Sequence, residues 1–259
     1  MKKLMTILIL TVAFLAISCS KGKLEEKGFQ VSSSSENTDE DKPDGLNSDS
    51  LKFDTRPSNV LLTGIAKVRL TTIYKVNVNK RNNSTFIGSN SFYNRYDNSE
   101  EETNFHTNIM PGIEAVYGYN LVNVSHYDIA TKKQKNFFDK PVLIKTLYYP
   151  THSKDSLNGR PIKRDYFMVS VYNEDTNKDG FINLKDLRKF YLFNINGEKQ
   201  GAIIPENYSI LKSEYDPDND FMYVFAQLDV NKNGEIDANE PTHIFWIDLK
   251  YPTNVARQF

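Results

Sequence analysis

Two twelve-residue segments, which begin 54 positions apart, constrain the fold of this chain more than any other feature. Residues 175–186 read Asp-Thr-Asn-Lys-Asp-Gly-Phe-Ile-Asn-Leu-Lys-Asp, and residues 229–240 read Asp-Val-Asn-Lys-Asn-Gly-Glu-Ile-Asp-Ala-Asn-Glu. Both have oxygen-bearing side chains at positions 1, 3, 5 and 9, glycine at position 6 and a carboxylate at position 12. Glycine permits a sharp turn, so a curled loop can direct about six to eight oxygens at one hard cation. The pattern therefore predicts two cation-binding loops instead of ordinary turns rich in Asp and Asn.

The two segments resemble the calcium-binding loop of the EF-hand family, and this resemblance implies a set of ligands. In the first segment they are the side chains of Asp175, Asn177, Asp179, Asn183 and Asp186 and the backbone carbonyl of Phe181. In the second they are the side chains of Asp229, Asn231, Asn233, Asp237 and Glu240 and the carbonyl of Glu235. Three carboxylates in each set favour modest affinity for Ca²⁺. Because Asp186 is shorter than the usual glutamate at position 12, we expect the first of the two calcium sites to be the weaker.

The duplication extends beyond the loops and predicts strands on both sides of them. Runs rich in Tyr, Phe, Val and Ile, which favour strands, precede the loops at 166–172 and 221–226. Similar runs follow the loops at 190–195 and 244–249, and residues 144–150 match residues 211–217 farther upstream. Each unit is therefore predicted to contain two strands, a calcium loop and a third strand. Only residues 184–189 allow a helical turn after a loop.

These units predict an all-β fold of repeated antiparallel sheets with calcium loops between strands. Short sequence patterns similar to the last strand of each unit extend the repetition. They surround Asn77, Asp128, Asn194 and Asp248, with spacings of 51, 66 and 54 residues. A repeat of about 50 residues has the size of a four-stranded propeller blade, so the sequence predicts a small β-propeller of about four blades. A β-sandwich explains the same pattern of strands and is the alternative.

The first nineteen residues have the pattern of a targeting segment. Lys2 and Lys3 precede an apolar stretch at 4–17, which is too short for a comfortable membrane span. The sequence Ala-Ile-Ser-Cys at 16–19 resembles the lipobox of bacterial lipoproteins, which implies that Cys19 is lipidated and anchors the protein in a membrane. A simple secretory signal is the alternative. The resemblance predicts a lipid-anchored protein of the bacterial cell envelope, in the outer membrane, with its periplasmic or surface face left open.

The residues after this segment divide into a polar tether and a folded domain. Residues 20–56 contain four consecutive serines, an acidic run and few large apolar side chains, so they predict a disordered tether. Residues 57–259 predict the β-rich repeat domain. The C-terminal half of the chain resembles the calcium-loop repeats of uncharacterised bacterial lipoproteins with propeller-like sheets, a resemblance that implies no activity.

Composition and motifs restrict the function further. The formal net charge of −1 argues against a nucleic-acid partner, and the single cysteine excludes an intrachain disulfide. Nucleophile elbows and phosphate-binding glycine loops are absent from the sequence. We therefore expect a non-enzymatic binding or scaffold module with an unknown protein or glycan partner. A surface glycan or peptide hydrolase on a propeller scaffold and a dockerin-like calcium-dependent interaction module are the alternatives.

Overall fold

The structure is a computed structural model that describes residues 28–30, 53–78, 85–87, 90–92, 110–118 and 120–259. Within these ranges the chain is all-β, with nineteen strands and without helices. The strands are β1 (Phe29–Gln30), β2 (Thr55–Leu62), β3 (Val68–Val78), β4 (Thr85–Ile87), β5 (Asn90–Phe92), β6 (Ile113–Gly118), β7 (Leu121–Asp128), β8 (Lys133–Asn136), β9 (Leu143–Pro150), β10 (Asp155–Leu157), β11 (Arg160–Ile162), β12 (Tyr166–Tyr172), β13 (Phe181–Ile182), β14 (Lys189–Asn194), β15 (Lys199–Ala202), β16 (Tyr208–Asp216), β17 (Phe221–Leu228), β18 (Thr242–Asp248) and β19 (Val255–Arg257). The described ranges hold no helix capable of crossing a bilayer.

Three antiparallel sheets form the body of the domain. The largest has six strands in the order β15-β14-β12-β9-β6-β5, and another has four in the order β16-β17-β18-β19. The third has five strands, in the order β2-β3-β7-β8 with β4 also paired to β3. Two short pairs, β1-β13 and β10-β11, lie outside these sheets. The all-β prediction is confirmed.

The six-stranded sheet lies between the other two and is apolar on both faces. Every residue of β12 is buried, in agreement with a sequence that is apolar except for Ser170. Alternate side chains of this strand point to opposite faces. Phe167 and Val169 join a core cluster with residues of the five-stranded sheet, such as Leu70, whereas Met168 joins a cluster with residues of the four-stranded sheet, such as Val224.

The duplicated unit predicted from the sequence is present in the fold. Strands β9, β12, β14 and β15 are neighbours in one sheet, in the same order as β16, β17, β18 and β19 in another. The first loop connects β12 to β14 and the second connects β17 to β18. Each unit therefore has two strands, a loop and a third strand, with a fourth strand added at the edge.

Three of the four recurrent Asn and Asp residues close the turn after a strand. The side-chain Oδ1 of Asp128 accepts hydrogen bonds from the backbone N–H groups of Ala130 and Thr131 at 2.9 and 3.0 Å. Asn194 and Asp248 make the same kind of bond to residues two to four positions later. Asn77 differs, because its Oδ1 accepts from the Asn120 side chain. The recurrence thus reflects turn chemistry more than a strict repeat.

The structure does not confirm the finer predictions of a four-bladed propeller or a β-sandwich. The described residues contain three sheets of four or more strands, stacked with the largest in the middle. Within the predicted tether, residues 28–30 and 53–56 belong to the folded domain, where β1 pairs with β13 and β2 begins at Thr55. The rest of the tether, the targeting segment and Cys19 lie outside the described residues.

Candidate metal centre

Loop one (residues 175–186) and loop two (residues 229–240) share the backbone conformation at positions 4 and 6. At position 4, Lys178 and Lys232 have φ values of 61° and 58°, which are uncommon for residues with a side chain. At position 6, Gly180 and Gly234 have φ values of 87° and 75°. Glycine is favoured at position 6 because the left-handed region carries no steric penalty without a Cβ atom. The predicted sharp turn is therefore present at the expected residue of both loops.

The aspartate at position 1 holds the turn of each loop. In loop one, Asp175 Oδ1 accepts a hydrogen bond from the Asp179 N–H at 3.1 Å, and its Oδ2 accepts from the Gly180 N–H at 2.9 Å. In loop two, Asp229 makes the equivalent bonds to Asn233 and Gly234, at 3.2 and 3.1 Å. These bonds orient the carboxylate toward the interior of the loop, so the polypeptide itself prepares part of the ligand set.

Side chains at positions 3, 5 and 9 repeat this arrangement. Asn177 Oδ1 accepts from the Asp179 N–H, Asp179 Oδ1 accepts from the Phe181 N–H, and Asn183 Oδ1 accepts from the Lys185 N–H. The corresponding acceptors in loop two are Asn231, Asn233 and Asp237. Every predicted side-chain ligand at these positions therefore bonds a backbone N–H group of its own loop.

The carboxylates at position 12 differ between the loops. Glu240 Oε1 accepts from the N–H groups of Val230 and Asn231 at 2.8 and 3.2 Å, whereas its Oε2 is buried without a hydrogen-bond partner among the described residues. Asp186 is fully buried, and both of its oxygens are engaged. Its Oδ1 accepts from the Thr176 N–H at 2.8 Å, and its Oδ2 accepts from the Asn183 N–H at 2.8 Å. Burial raises the pKa of the Asp186 carboxyl, and these hydrogen bonds act in the opposite direction.

The two loops contact each other directly. The Thr176 hydroxyl donates to the Gly234 carbonyl at 2.6 Å, and the Asn177 side-chain amide donates to Glu235 Oε1 at 2.7 Å. Asp186 and Glu235 also form an isolated antiparallel bridge. A Cβ atom added at Gly234 would lie 2.0 Å from the Thr176 carbonyl oxygen, so the approach requires glycine. No sequence pattern indicates this contact, because it depends on how the two sheets stack.

Positions 7 and 8 have different neighbours in the two loops. In loop one these residues form β13, and they pair with β1 through the Phe29–Ile182 and Gln30–Phe181 partners. In loop two, Ile236 is 43 % exposed and lies outside the strands. Loop one is thus enclosed by loop two on one side and by the N-terminal segment on another.

The donor atoms suit a hard cation, although the carboxylates alone do not converge. Within the described ranges, no three His, Cys, Asp or Glu side chains form a group able to hold a metal ion. Each loop instead offers carboxylate, amide and backbone oxygens in a repeated arrangement, which is the donor chemistry of Ca²⁺. Glu240 Oε2 is buried and finds no hydrogen-bond partner in the part of the chain that the structure describes. Its burial costs free energy unless a cation or a donor faces it. The residues present therefore fit calcium.

Both loops lead into strands, as the sequence predicts. Loop one ends in a turn and continues into β14 at Lys189, so the helical turn that residues 184–189 allow is absent. Loop two continues through Pro241 into β18 at Thr242. The helices that follow the loops of dockerin modules have no counterpart at either position.

Comparisons with known proteins agree with the loop geometry. A family model described as EF hand matches residues 175–191 and 224–240. These matches support duplicated EF-hand-type loops and point to calcium binding. A comparison with curated proteins gave no match.

One solved structure to which the chain shows a similarity is entitled "Crystal structure of the eukaryotic initiation factor". The identity is 12 %, the TM-score is 0.15, and the aligned region covers 77 % of this chain and 64 % of that chain. The chain therefore spans less than two thirds of that protein, and the low TM-score supports no statement about the fold.

Proposed function

We propose that this protein is a calcium-binding, lipid-anchored protein of the bacterial cell envelope, in which two ions stabilise a β-rich binding or scaffold module. The observation that carries the proposal is the repeated loop geometry. Twelve-residue loops at equivalent places in two sheets share their positive-φ residues and their hydrogen bonds at positions 1, 3, 5 and 12. The EF-hand matches at the same residues support calcium as the ion.

Calcium acts here as a cross-link between strands. In helix–loop–helix EF-hands the ion changes the angle between two helices. In this protein the loops join β12 to β14 and β17 to β18, so an ion in either loop fixes a connection between neighbouring strands. The ion also screens the mutual repulsion of three carboxylates in each loop. Its role is thus structural, and the chain needs no disulfide for this purpose.

The size of the effect follows from mass action. Extracellular calcium modules have dissociation constants of about 0.1–1 mM. At roughly 1 mM free Ca²⁺, each occupied loop then stabilises the native state by about 0.4–1.4 kcal/mol. Two loops together contribute about 1–3 kcal/mol, which is a substantial part of the stability of an ordinary domain.

Loop two is the stronger site in this proposal. Glu240 keeps one carboxylate oxygen without a hydrogen-bond partner in the described part of the chain, and that oxygen is available to an ion. Both oxygens of Asp186 already accept backbone N–H groups, and its buried carboxyl has a raised pKa. An ion in loop one must compete with these bonds.

Calcium titration calorimetry on the full-length chain tests the two sites. We expect two bound ions for the wild type and one for each of the single variants Asp175→Ala and Asp229→Ala, with the weaker remaining site in Asp229→Ala. Asp128→Ala, which removes a turn-closing carboxylate outside the loops, is the matched control and should bind two ions. Absence of calcium binding in the wild type would refute the proposal.

The anchoring part of the proposal rests on the sequence of residues 1–19. Its test is the distribution of the protein between membrane and soluble fractions of a bacterial host, compared with Cys19→Ala. Lipidation at Cys19 predicts membrane association that the substitution abolishes. Equal membrane association of both proteins would argue against the anchor and leave the calcium sites unaffected.

A further inference from the structure

We propose that calcium in loop one controls the docking of residues 28–30 on the domain, so that this N-terminal segment is held on the domain when calcium occupies the loop. This inference rests on the proposed calcium binding and adds to it a regulated contact. The contact is visible in the fold, because β1 forms an antiparallel pair with β13, which is positions 7 and 8 of loop one. No other described strand pairs with either of them.

An aromatic side chain fixes the docked segment. Phe29 is only 8 % exposed and belongs to a core cluster with Val122, Leu143, Tyr172 and Ile182. Its ring centroid lies 5.2 Å from that of Phe53. Burial of this side chain favours docking, and the cluster that receives it includes a residue of loop one itself, Ile182.

The segment fits closely against the loop backbone. Gly28 has a φ of 53°, and a Cβ atom added there would lie 1.7 Å from the Ile182 carbonyl oxygen. The Lys75 ammonium donates to the Gly28 carbonyl at 3.3 Å. A glycine is therefore required at position 28 for as long as the segment is docked.

The ion and β1 need the same conformation of residues 179–183. Asp179, an expected ligand, accepts from the Phe181 N–H at 2.9 Å and from the Asn183 side chain at 3.2 Å, and the Phe181 carbonyl is another expected ligand. Phe181 is also the partner of Gln30. Without the ion, electrostatic repulsion among Asp175, Asp179 and Asp186 makes this backbone less ordered. Strand β1 then has no fixed strand with which to pair.

Thermodynamic reciprocity makes the effect measurable as a change in calcium affinity. If calcium favours docking, docking must raise the affinity of loop one for calcium by the same factor. Loop two is an internal control, because its equivalent residues, Glu235 and Ile236, do not pair with β1. The direct contact, and with it the expected coupling, therefore involves loop one.

Calcium titrations of full-length variants provide the test. Asp229→Ala isolates loop one, and Asp175→Ala isolates loop two. Adding Gly28→Ala to each is expected to weaken loop one about tenfold, within the usual range of coupling between sites, and to leave loop two unchanged. Phe29→Ser, which removes the buried ring, should act in the same way.

The control is Gly159→Ala. Gly159 also has a positive φ, of 72°, but a Cβ atom there would meet no described atom within 4 Å. This variant has the backbone strain of Gly28→Ala without the clash, and it should leave the affinity of loop one unchanged.

Hydrogen exchange of the wild type gives a second measurement. Calcium is expected to slow exchange at residues 28–30, and Asp175→Ala should remove that protection. Wild-type affinity of loop one in both Gly28→Ala and Phe29→Ser would overturn the coupling, and the calcium sites would stand. A wild type that binds no calcium would refute the proposed function and the coupling together.

Discussion

Contact between the two loops predicts that equivalent glycines differ in their tolerance of alanine. Gly180 and Gly234 occupy position 6 of their loops with φ values of 87° and 75°. A Cβ atom at Gly180 would meet no described atom within 4 Å, whereas one at Gly234 would lie 2.0 Å from the Thr176 carbonyl oxygen and 2.9 Å from the Asn177 nitrogen. The two substitutions thus share the backbone strain, and only the second separates the loops.

The expected costs follow from these contacts. Alanine in the left-handed region costs about 1–2 kcal/mol, and this applies to both variants. Separation of the loops in Gly234→Ala also breaks the bonds from Thr176 to Gly234 and from Asn177 to Glu235. Leaving these half-buried groups unpaired adds about 1–3 kcal/mol. We therefore expect about 1–2 kcal/mol for Gly180→Ala and about 2–5 kcal/mol for Gly234→Ala.

Urea unfolding in the presence of a calcium chelator measures the two costs without a contribution from bound ions. The slope of free energy against urea should stay the same, so the midpoints compare directly. Equal destabilisation by the two alanines would show that the loops do not contact each other in solution. A matching experiment with Thr176→Val, which removes the hydroxyl donor, should reproduce part of the Gly234→Ala effect.

Three further predictions concern the body of the domain. Arg164→Met leaves the Asp220 carboxylate without its cation, because the buried guanidinium bonds that carboxylate at 2.7 and 2.9 Å. The substitution should destabilise the domain by about 3–5 kcal/mol in urea unfolding, and a loss below about 1 kcal/mol would contradict this role. Phe193→Ala opens a cavity beside Phe137, whose ring stacks on it at 4.5 Å, and should cost about 3–5 kcal/mol; a melting temperature equal to wild type would refute this packing. Hydrogen bonds from Asn219 lower the pKa of the Asp216 carboxyl below its ordinary value of 3.8. The ionised carboxylate therefore stabilises the fold above that pH, and this contribution is lost as the pH falls through the folded-state pKa. Asp216→Asn should make stability depend less on pH in this acid range, and an unchanged dependence would argue against the assignment.

Local sequence patterns predict the strands and the loops because the forces that form them act over short distances. The run at 166–172, which is apolar except for Ser170, matches a strand that is buried on both faces. The spacing of oxygens and glycine in 175–186 matches the observed turn. The order of strands around each loop also follows from the 54-residue repeat. These features need only side-chain periodicity and backbone preferences.

Contacts between distant segments are not predictable in this way. The approach of Thr176 to Gly234 depends on the stacking of two sheets, and neither residue departs from an ordinary loop sequence. The sequence contains one weak indication that Phe29 docks on the domain, because Phe29 is the single aromatic residue between positions 20 and 52. In a polar segment one such side chain does not indicate where it binds. The number of sheets likewise depends on packing that the strand pattern does not specify.

Thermal unfolding of the full-length chain with about 1 mM Ca²⁺ or with excess chelator tests the central claim most directly. Two occupied loops stabilise the native state by about 1–3 kcal/mol, which corresponds to a rise in melting temperature of about 2–12 °C. The double variant Asp175→Ala/Asp229→Ala should show no rise, and Asp128→Ala should keep the wild-type rise. A wild type whose melting temperature is indifferent to calcium, or a double variant that responds as strongly, would contradict the account.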